Sequence, residues 1–311
     1  MKLLACLILL ASLSSAQKLA LTFDDLPLNG QLPTGVTRTQ ITHDVLAILK
    51  KRHVPPAYGF INAAKLENLG PKDNDDGAEA LKLWASHEPV GNHTYAHINL
   101  SSSTVEQFEQ NIQQNEPALQ LLTSSRSNAK STFQNWHWFR YPYLIEGDTV
   151  EKRRAIRDFL AQRNYKIAQV TIDWEDYLWN TAYARCLDQH DAQAIASLHA
   201  SYLSTASTYI DADRAMAKLI YGHDINHVVL LHLGAFSSTI LPDMFKLLKQ
   251  KGFTLTTLED AESDPAYAID PDIGLKDGGS LLEQIIESKK LPFTYPPAKP
   301  YKELENICTK P

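Results

Sequence analysis

Strand and helix alternate along most of this chain, and a polar or charged residue stands at the end of one predicted strand after another. Residues 18–23 read as a strand, and Ile41, Val45, Ile48 and Leu49 at helical spacing predict a helix over 39–52. A strand follows at 57–61, a helix at 77–87 and a short strand at 89–91. Thr104 with Gln107 forms a capping box for a helix to about residue 122. Beyond it come a strand at 137–140, a helix at 149–163, a strand at 167–172 and mostly helical sequence, in two pieces, over 189–219. Val228 to Leu231 is a buried strand; a helix carrying Leu241, Phe245 and Leu248 and a last strand over 253–258 complete the series. Such alternation predicts an α/β fold with a parallel sheet, open or closed into a barrel.

In a parallel β/α protein the C-terminal ends of all strands share one face, and ligands bind there. Five polar clusters of this sequence fall at such ends: Asp24-Asp25, His93 with His97, Arg140, Asp173 with Asp176, and His232. They are therefore expected to converge. His93 and His97, four apart, face one way if they lie on a helical turn. A carboxylate from Asp24 or Asp25 would complete a set of two histidines and one carboxylate with open positions, the form of a hydrolytic, zinc-type centre. The spacing alone is weak, since His223 and His227 repeat it. His227 begins the strand that His232 ends, about 17 Å away at roughly 3.3 Å per residue, so His223 and His227 read as structural or surface residues. Adjacent like charges resist joint ionisation; a cation beside one aspartate and Arg140 beside the other would relieve that.

Hydrophobic residues make up 44% of the 311 and charged residues 21%, which excludes wholesale disorder. A net charge of −6 with no long basic run leaves no footprint for nucleic acid. Met1-Lys2, the apolar run Leu3 to Leu13 and Ser14-Ser15-Ala16 have the layout of a secretory signal peptide over residues 1–16, so a secreted or periplasmic protein is expected. No later segment approaches the apolar length of a membrane span. Cys186 and Cys308 could pair in an oxidising compartment, or stay free. After about residue 260 prolines break up the sequence, with one helix expected behind the Ser280/Glu283 capping box. The catalytic domain is accordingly read as residues 17–260, and 261–311 as an extension packed on the barrel.

Thr22-Phe23-Asp24-Asp25, His93-Thr94-Tyr95-Ala96-His97, Arg140-Tyr141-Pro142-Tyr143, Asp173-Trp174-Glu175-Asp176-Tyr177 and Leu230-Leu231-His232 together resemble, in order, the five motifs of the polysaccharide deacetylase family (NodB homology, carbohydrate esterase family 4). Tyr177 stands where that family usually has tryptophan. The resemblance implies a distorted (β/α)7-8 barrel and a hydrolase that removes acetyl groups from a carbohydrate with a divalent metal, Zn²⁺ by default and Co²⁺ or Ni²⁺ as alternatives. It implies Asp25, His93 and His97 as metal ligands, Asp24 as general base held by Arg140, and His232 as general acid oriented by Asp176, with Asp173 as rival. It further implies the backbone N–H of Tyr143 at the oxyanion, and Leu230 and Tyr177 around the acetyl methyl.

Trp174 and Trp179, near the fourth motif, are the best candidates among the tryptophans for a sugar platform. Asn92-His93-Thr94 and Asn99-Leu100-Ser101 match the N-glycosylation pattern, the first accidentally if His93 binds metal. An iron oxygenase would also use two histidines and a carboxylate, but its H-x-[DE] pair occurs nowhere in the chain. The expected substrate is an N-acetylglucosamine-containing polysaccharide acted on by a monomer. An acetylxylan-type O-acetyl esterase and a non-catalytic sugar-binding relative are the alternatives.

Overall fold

The strand that carries Asp24 and Asp25 is buried on both sides, as expected of a central strand in a parallel sheet covered by helices. In the computed structural model, which describes residues 17–67, 70–124 and 135–309, it is β1 (Gln17–Leu26), and the expected signal peptide at 1–16 lies outside the described residues. Next come α1 (Arg38–Lys51), β2 (Tyr58–Ile61), α2 (Pro71–His87), β3 (Val90–Asn92), α3 (Val105–Ser124), β4 (Trp138–Phe139), α4 (Val150–Gln162) and β5 (Lys166–Ile167). The second half comprises α5 (Leu178–Asp188), α6 (Ala192–Tyr221), β6 (His227–His232), α7 (Ser237–Gln250), β7 (Phe253–Thr256), α8 (Leu258–Ala261), α9 (Leu281–Lys289) and α10 (Tyr301–Asn306).

All paired strands are parallel, in the order β5-β4-β3-β2-β1-β6. β7 joins the start of β1, pairing Gln17–Ala20 with Phe253–Thr256. Beyond β5 the chain returns to the far edge, where Ile172 bridges Val229 of β6. The sheet thus curls round on itself into a barrel with helices outside, the α/β architecture expected. Its register sets the chemistry. β1 and β6 pair with Asp24 opposite His232, and β3 pairs with β4 at Asn92 and Phe139, one residue short of His93 and Arg140.

Several elements differ from the sequence reading. α2 begins at Pro71 rather than 77, although Asp and Asn fill its first turns, because Pro suits the first helical position. Asp76 in that stretch accepts the N–H groups of Arg38 (2.8 Å) and Thr39 (3.1 Å) at the start of α1, so it is bound rather than looped out. The strand expected over 167–172 shrinks to two residues and one bridge. α5 lies in a stretch that had no assignment.

The tail packs on the barrel's helices. α9 carries the full Ser280/Glu283 capping box and buries Leu282, Ile285 and Ile286. Arg185 of α5 donates to the carbonyls of Leu304, Glu305 and Ile307, and Cys186 is bridged to Cys308 across 122 residues. Non-reducing peptide mapping is expected to link the two cysteine peptides, and reduction to cost about 2–4 kcal/mol of stability. Two free thiols in protein from an oxidising compartment would refute the bridge.

Candidate active site

His93 and His97 come together without a helix. The segment after β3 is a loop in which Thr94 (φ 61°) and His97 (φ 52°) take left-handed conformations. This corrects the helical turn inferred from the spacing. The two rings end 4.8 Å apart. Asp25 (φ 68°), Tyr143 (φ 60°) and Glu175 (φ 57°) share that unusual backbone region. Such residues concentrate at functional sites because the surrounding packing must hold them there.

A cavity of about 390 Å³ opens at the C-terminal face of the barrel, lined by Asp24, Asp25, His93, His97, Tyr143 and His232 among others. Asp25 Oδ1 lies 3.4 Å from His97 Nε2 and 3.8 Å from His93 Nε2. Ligand atoms of these three residues lie within 4.8 Å of one another. The donor set fits a divalent metal. His93 directs Nδ1 at the Arg140 carbonyl (2.8 Å), which leaves Nε2 facing the site. Asp25 Oδ1 is buried and accepts no hydrogen bond, whereas Oδ2 is held by Asn29 at 2.9 Å. Burial would raise the Asp25 carboxyl, but Lys65, His97, His232 and His93 outweigh it and hold the group well below the carboxylate range. Burial keeps both imidazoles below their ordinary range, hence neutral, as metal ligands must be.

Asp24 sits beside this set, buried, with both carboxylate oxygens 3.3 Å from Arg140 Nη1. Arg140 is itself fixed by the Ala168 carbonyl (2.7 Å) and Thr22 Oγ1 (3.1 Å). Burial lifts Asp24 to about 6, against the pull of Arg140 and His232. Across the β1–β6 register, His232 directs Nδ1 at Asp176 Oδ1 (2.6 Å), while its backbone N–H donates to Asp176 Oδ2 (2.9 Å). Burial would lower His232; Asp176, Asp25 and Asp24 raise it instead, to about 9. Asp176, not Asp173, is therefore the partner of His232. Asp173 accepts the Glu175 N–H at 2.7 Å.

Tyr143, Tyr177 and Leu230 line the same cavity, the Tyr143 ring 4.4 Å from His97 and the Tyr177 ring 5.2 Å from His232. Trp174 does not. Successive side chains alternate here, sending Asp173 and Glu175 to the cavity and Ile172 and Trp174 to the core. Trp174 and Trp179 are both 0% exposed and pack edge-on against Tyr202, so neither is a sugar platform. The open aromatic faces are those of Tyr143, 57% exposed, and Tyr177. Asn92 is buried, its amide donating to the Ile112 carbonyl and the Tyr165 hydroxyl and accepting from Asn115, so the amide nitrogen a glycan would need is enclosed in the folded chain. His227 is structural, bonded to Thr171 and Asp224.

Sequence reasoning missed Lys65, Asn29 and Glu175. Lys65 donates to the Asp25 and Leu28 carbonyls and lies 3.4 Å from Asp25 Oδ1. It stands four residues past β2, so the strand-end rule extended to that strand would have found it. Asn29 sits in a loop with no pattern of its own.

A site that joins a buried carboxylate, a metal donor set and an aspartate-bound histidine has the parts that hydrolysis needs. Residues 13–159 match the family described as polysaccharide deacetylase. The matched stretch, a domain of the NodB homology type (carbohydrate esterase family 4), spans just under half of the chain and ends before the Asp173–Tyr177 and Leu230–His232 segments. The fold is that of the wild-type CE4 family pseudoenzyme BA3943 from Bacillus anthracis, with a TM-score of 0.51 at 16% identity over 79% of this chain and 66% of that one. A mutant of BA3943 with restored enzymatic activity also gives 0.51, at 18% identity over 79% and 68%. The chitin deacetylase of the fungal pathogen Colletotrichum lindemuthianum gives 0.49, at 21% identity over 78% and 86%. No curated protein matches the chain at a significant level. Among the described residues, no helix is long and apolar enough to cross a membrane.

Proposed function

We propose that the protein is a secreted deacetylase that uses a divalent metal, by default Zn²⁺, to hydrolyse N-acetyl groups of an N-acetylglucosamine-containing polysaccharide. The observation that carries this reading is the register of β1 against β6, which sets a buried carboxylate and an aspartate-bound histidine across one cavity from the Asp25, His93 and His97 donors. A divalent ion held by those three would polarise the acetyl carbonyl and acidify water. Asp24, steadied by Arg140, withdraws the proton of the attacking water. As the carbonyl oxygen gains charge, the backbone N–H of Tyr143 steadies it. His232 then gives its Nε2 proton to the departing nitrogen, the C–N bond breaks, and acetate and a free amine result. Leu230 and Tyr177 enclose the acetyl methyl.

A histidine kept protonated to about pH 9 favours amides over esters, because an amine leaves poorly without a proton. An acetylxylan-type esterase would use the same site on an easier leaving group. A non-catalytic role is a further reading, since BA3943 is named a pseudoenzyme; against it, Asp24, Asp25, His93, His97, Arg140 and His232 are all in place here. Export is supported by the residue 1–16 pattern and by the Cys186–Cys308 bridge.

The test is acetate release from peptidoglycan, chitin oligomers, N-acetylated exopolysaccharide and acetylxylan, with and without chelator. Chelation is expected to abolish release and Zn²⁺ or Co²⁺ to restore it. Elemental analysis should find the metal missing from the His93→Ala/His97→Ala double variant. A fully active double variant would sink the proposal.

A further inference from the structure

The catalytic cavity does not end at the barrel. A second cavity, of about 370 Å³, continues from it through four shared residues, Tyr143, Leu144, Asp173 and Glu175. Its outer wall is the C-terminal extension, with Asp277, Glu283, Glu287 and Tyr295 facing Asp213 and Tyr209 of α6. Six carboxylates line it, against the single cation Lys299. Lys299 is already taken: its Nζ lies 2.9 Å from Glu175 Oε1 and 4.6 Å above the Tyr209 ring.

Asp213 points to what the cavity accepts. It is 4% exposed yet lines the cavity, and it has no ion-pair partner among the described residues. One of its oxygens accepts a single long hydrogen bond, from the Asp173 N–H at 3.4 Å. A buried carboxylate in that state requires a positive charge or a proton. Burial, with Glu283 and Asp173 close by, pushes its pKa well up. A metal ion is a poor candidate for that charge. Among the described residues, Asp25, His93 and His97 are the one group close enough to hold an ion, so the acids of this cavity are spread over its walls. Dispersed carboxylates beside a half-exposed tyrosine suit a larger cation, one with a ring to lay on Tyr295.

We infer that this cavity is a subsite for a glucosamine residue of the same polymer, its protonated amine received by Asp213, with Glu287 and Asp277 on the outer wall adding to the negative field that draws it in. The inference rests on the N-deacetylase reading above, which makes that amine the product of the site next door. A sugar already deacetylated would then position its neighbour for reaction, so that deacetylation advances in blocks along the chain.

The test is calorimetric binding of a fully deacetylated glucosamine tetramer at a pH where its amines are charged, a measurement that needs no turnover. The wild-type protein is expected to bind it, and the Asp277→Asn/Glu287→Gln variant to bind it roughly 2–10-fold more weakly, two exposed wall charges facing a polycationic tetramer being worth that much. Asp213→Asn should weaken binding as well. Cleavage of a small activated acetyl ester by the double variant should be unchanged. No tetramer binding, or equal binding by wild type and double variant, would overturn the subsite. The N-deacetylase reading itself fails separately, if no N-acetylated glycan releases acetate.

Discussion

Asp24→Asn is expected to retain its metal and to lose about 10²–10⁴-fold in kcat, the usual contribution of a general base. The two adjacent aspartates differ in what surrounds them. Asp25 presents a bare oxygen to His93 and His97, while both oxygens of Asp24 face the Arg140 guanidinium, and one lies 3.6 Å from His93 Nε2. An amide at 24 keeps the shape and cannot take a proton. It also leaves Arg140 without its counter-charge, so the melting temperature should fall, with Thr22 and Ala168 still holding the guanidinium. Elemental analysis and turnover on the same preparation decide the matter. A metal-free Asp24→Asn protein would mean that the two aspartates have exchanged roles. Asp25→Asn, by contrast, should lose the metal along with activity.

Much of this site was legible because a parallel sheet turns sequence position into spatial position. Each motif needed only to be recognised as the end of a strand, and the common face did the rest. The register that puts Asp24 opposite His232 could not be read from the sequence, since either strand could have slipped without changing its apolar pattern. The HxxxH spacing was read rightly as a pair and wrongly as a helix, because three-dimensional packing imposes left-handed backbone on Thr94 and His97, which local preference does not favour.

Trp174 shows the opposite failure. Proximity in sequence to catalytic residues suggested a sugar platform, but a side chain's neighbours along an extended segment point to the other side. The C-terminal extension beyond residue 260 was the least legible part. Its prolines and its capping box identified a wrap and a helix, yet nothing in the pattern indicated that Glu283, Tyr295 and Lys299 would line a cavity continuous with the active site. Such placement depends on Arg185 and Cys186 gripping the chain terminus, contacts that span more than a hundred residues.

His232→Ala is expected to reduce activity on an N-acetyl glycan by about 10²–10⁴-fold and on an activated acetyl ester by far less. The amine must be protonated as it leaves; an activated alcohol need not be. Equal losses on both substrates would mean that His232 is not the leaving-group acid. The pH profile supplies a second readout. If Asp24 is the base it must be ionised, so kcat/KM should rise with pH through about 6, and if His232 is the acid it must be protonated, so kcat/KM should fall through about 9. A divalent ion held by Asp25, His93 and His97 would lie beside both groups and move both limbs toward lower pH. Asp176→Asn separates orientation from acidity. It removes the charge and the 2.6 Å hydrogen bond that raise His232, leaving burial, which lowers it. The descending limb should therefore shift to lower pH while the ascending limb, set by Asp24, stays in place. An Asp176→Asn enzyme whose descending limb does not move would show that Asp176 does not set the protonation of His232.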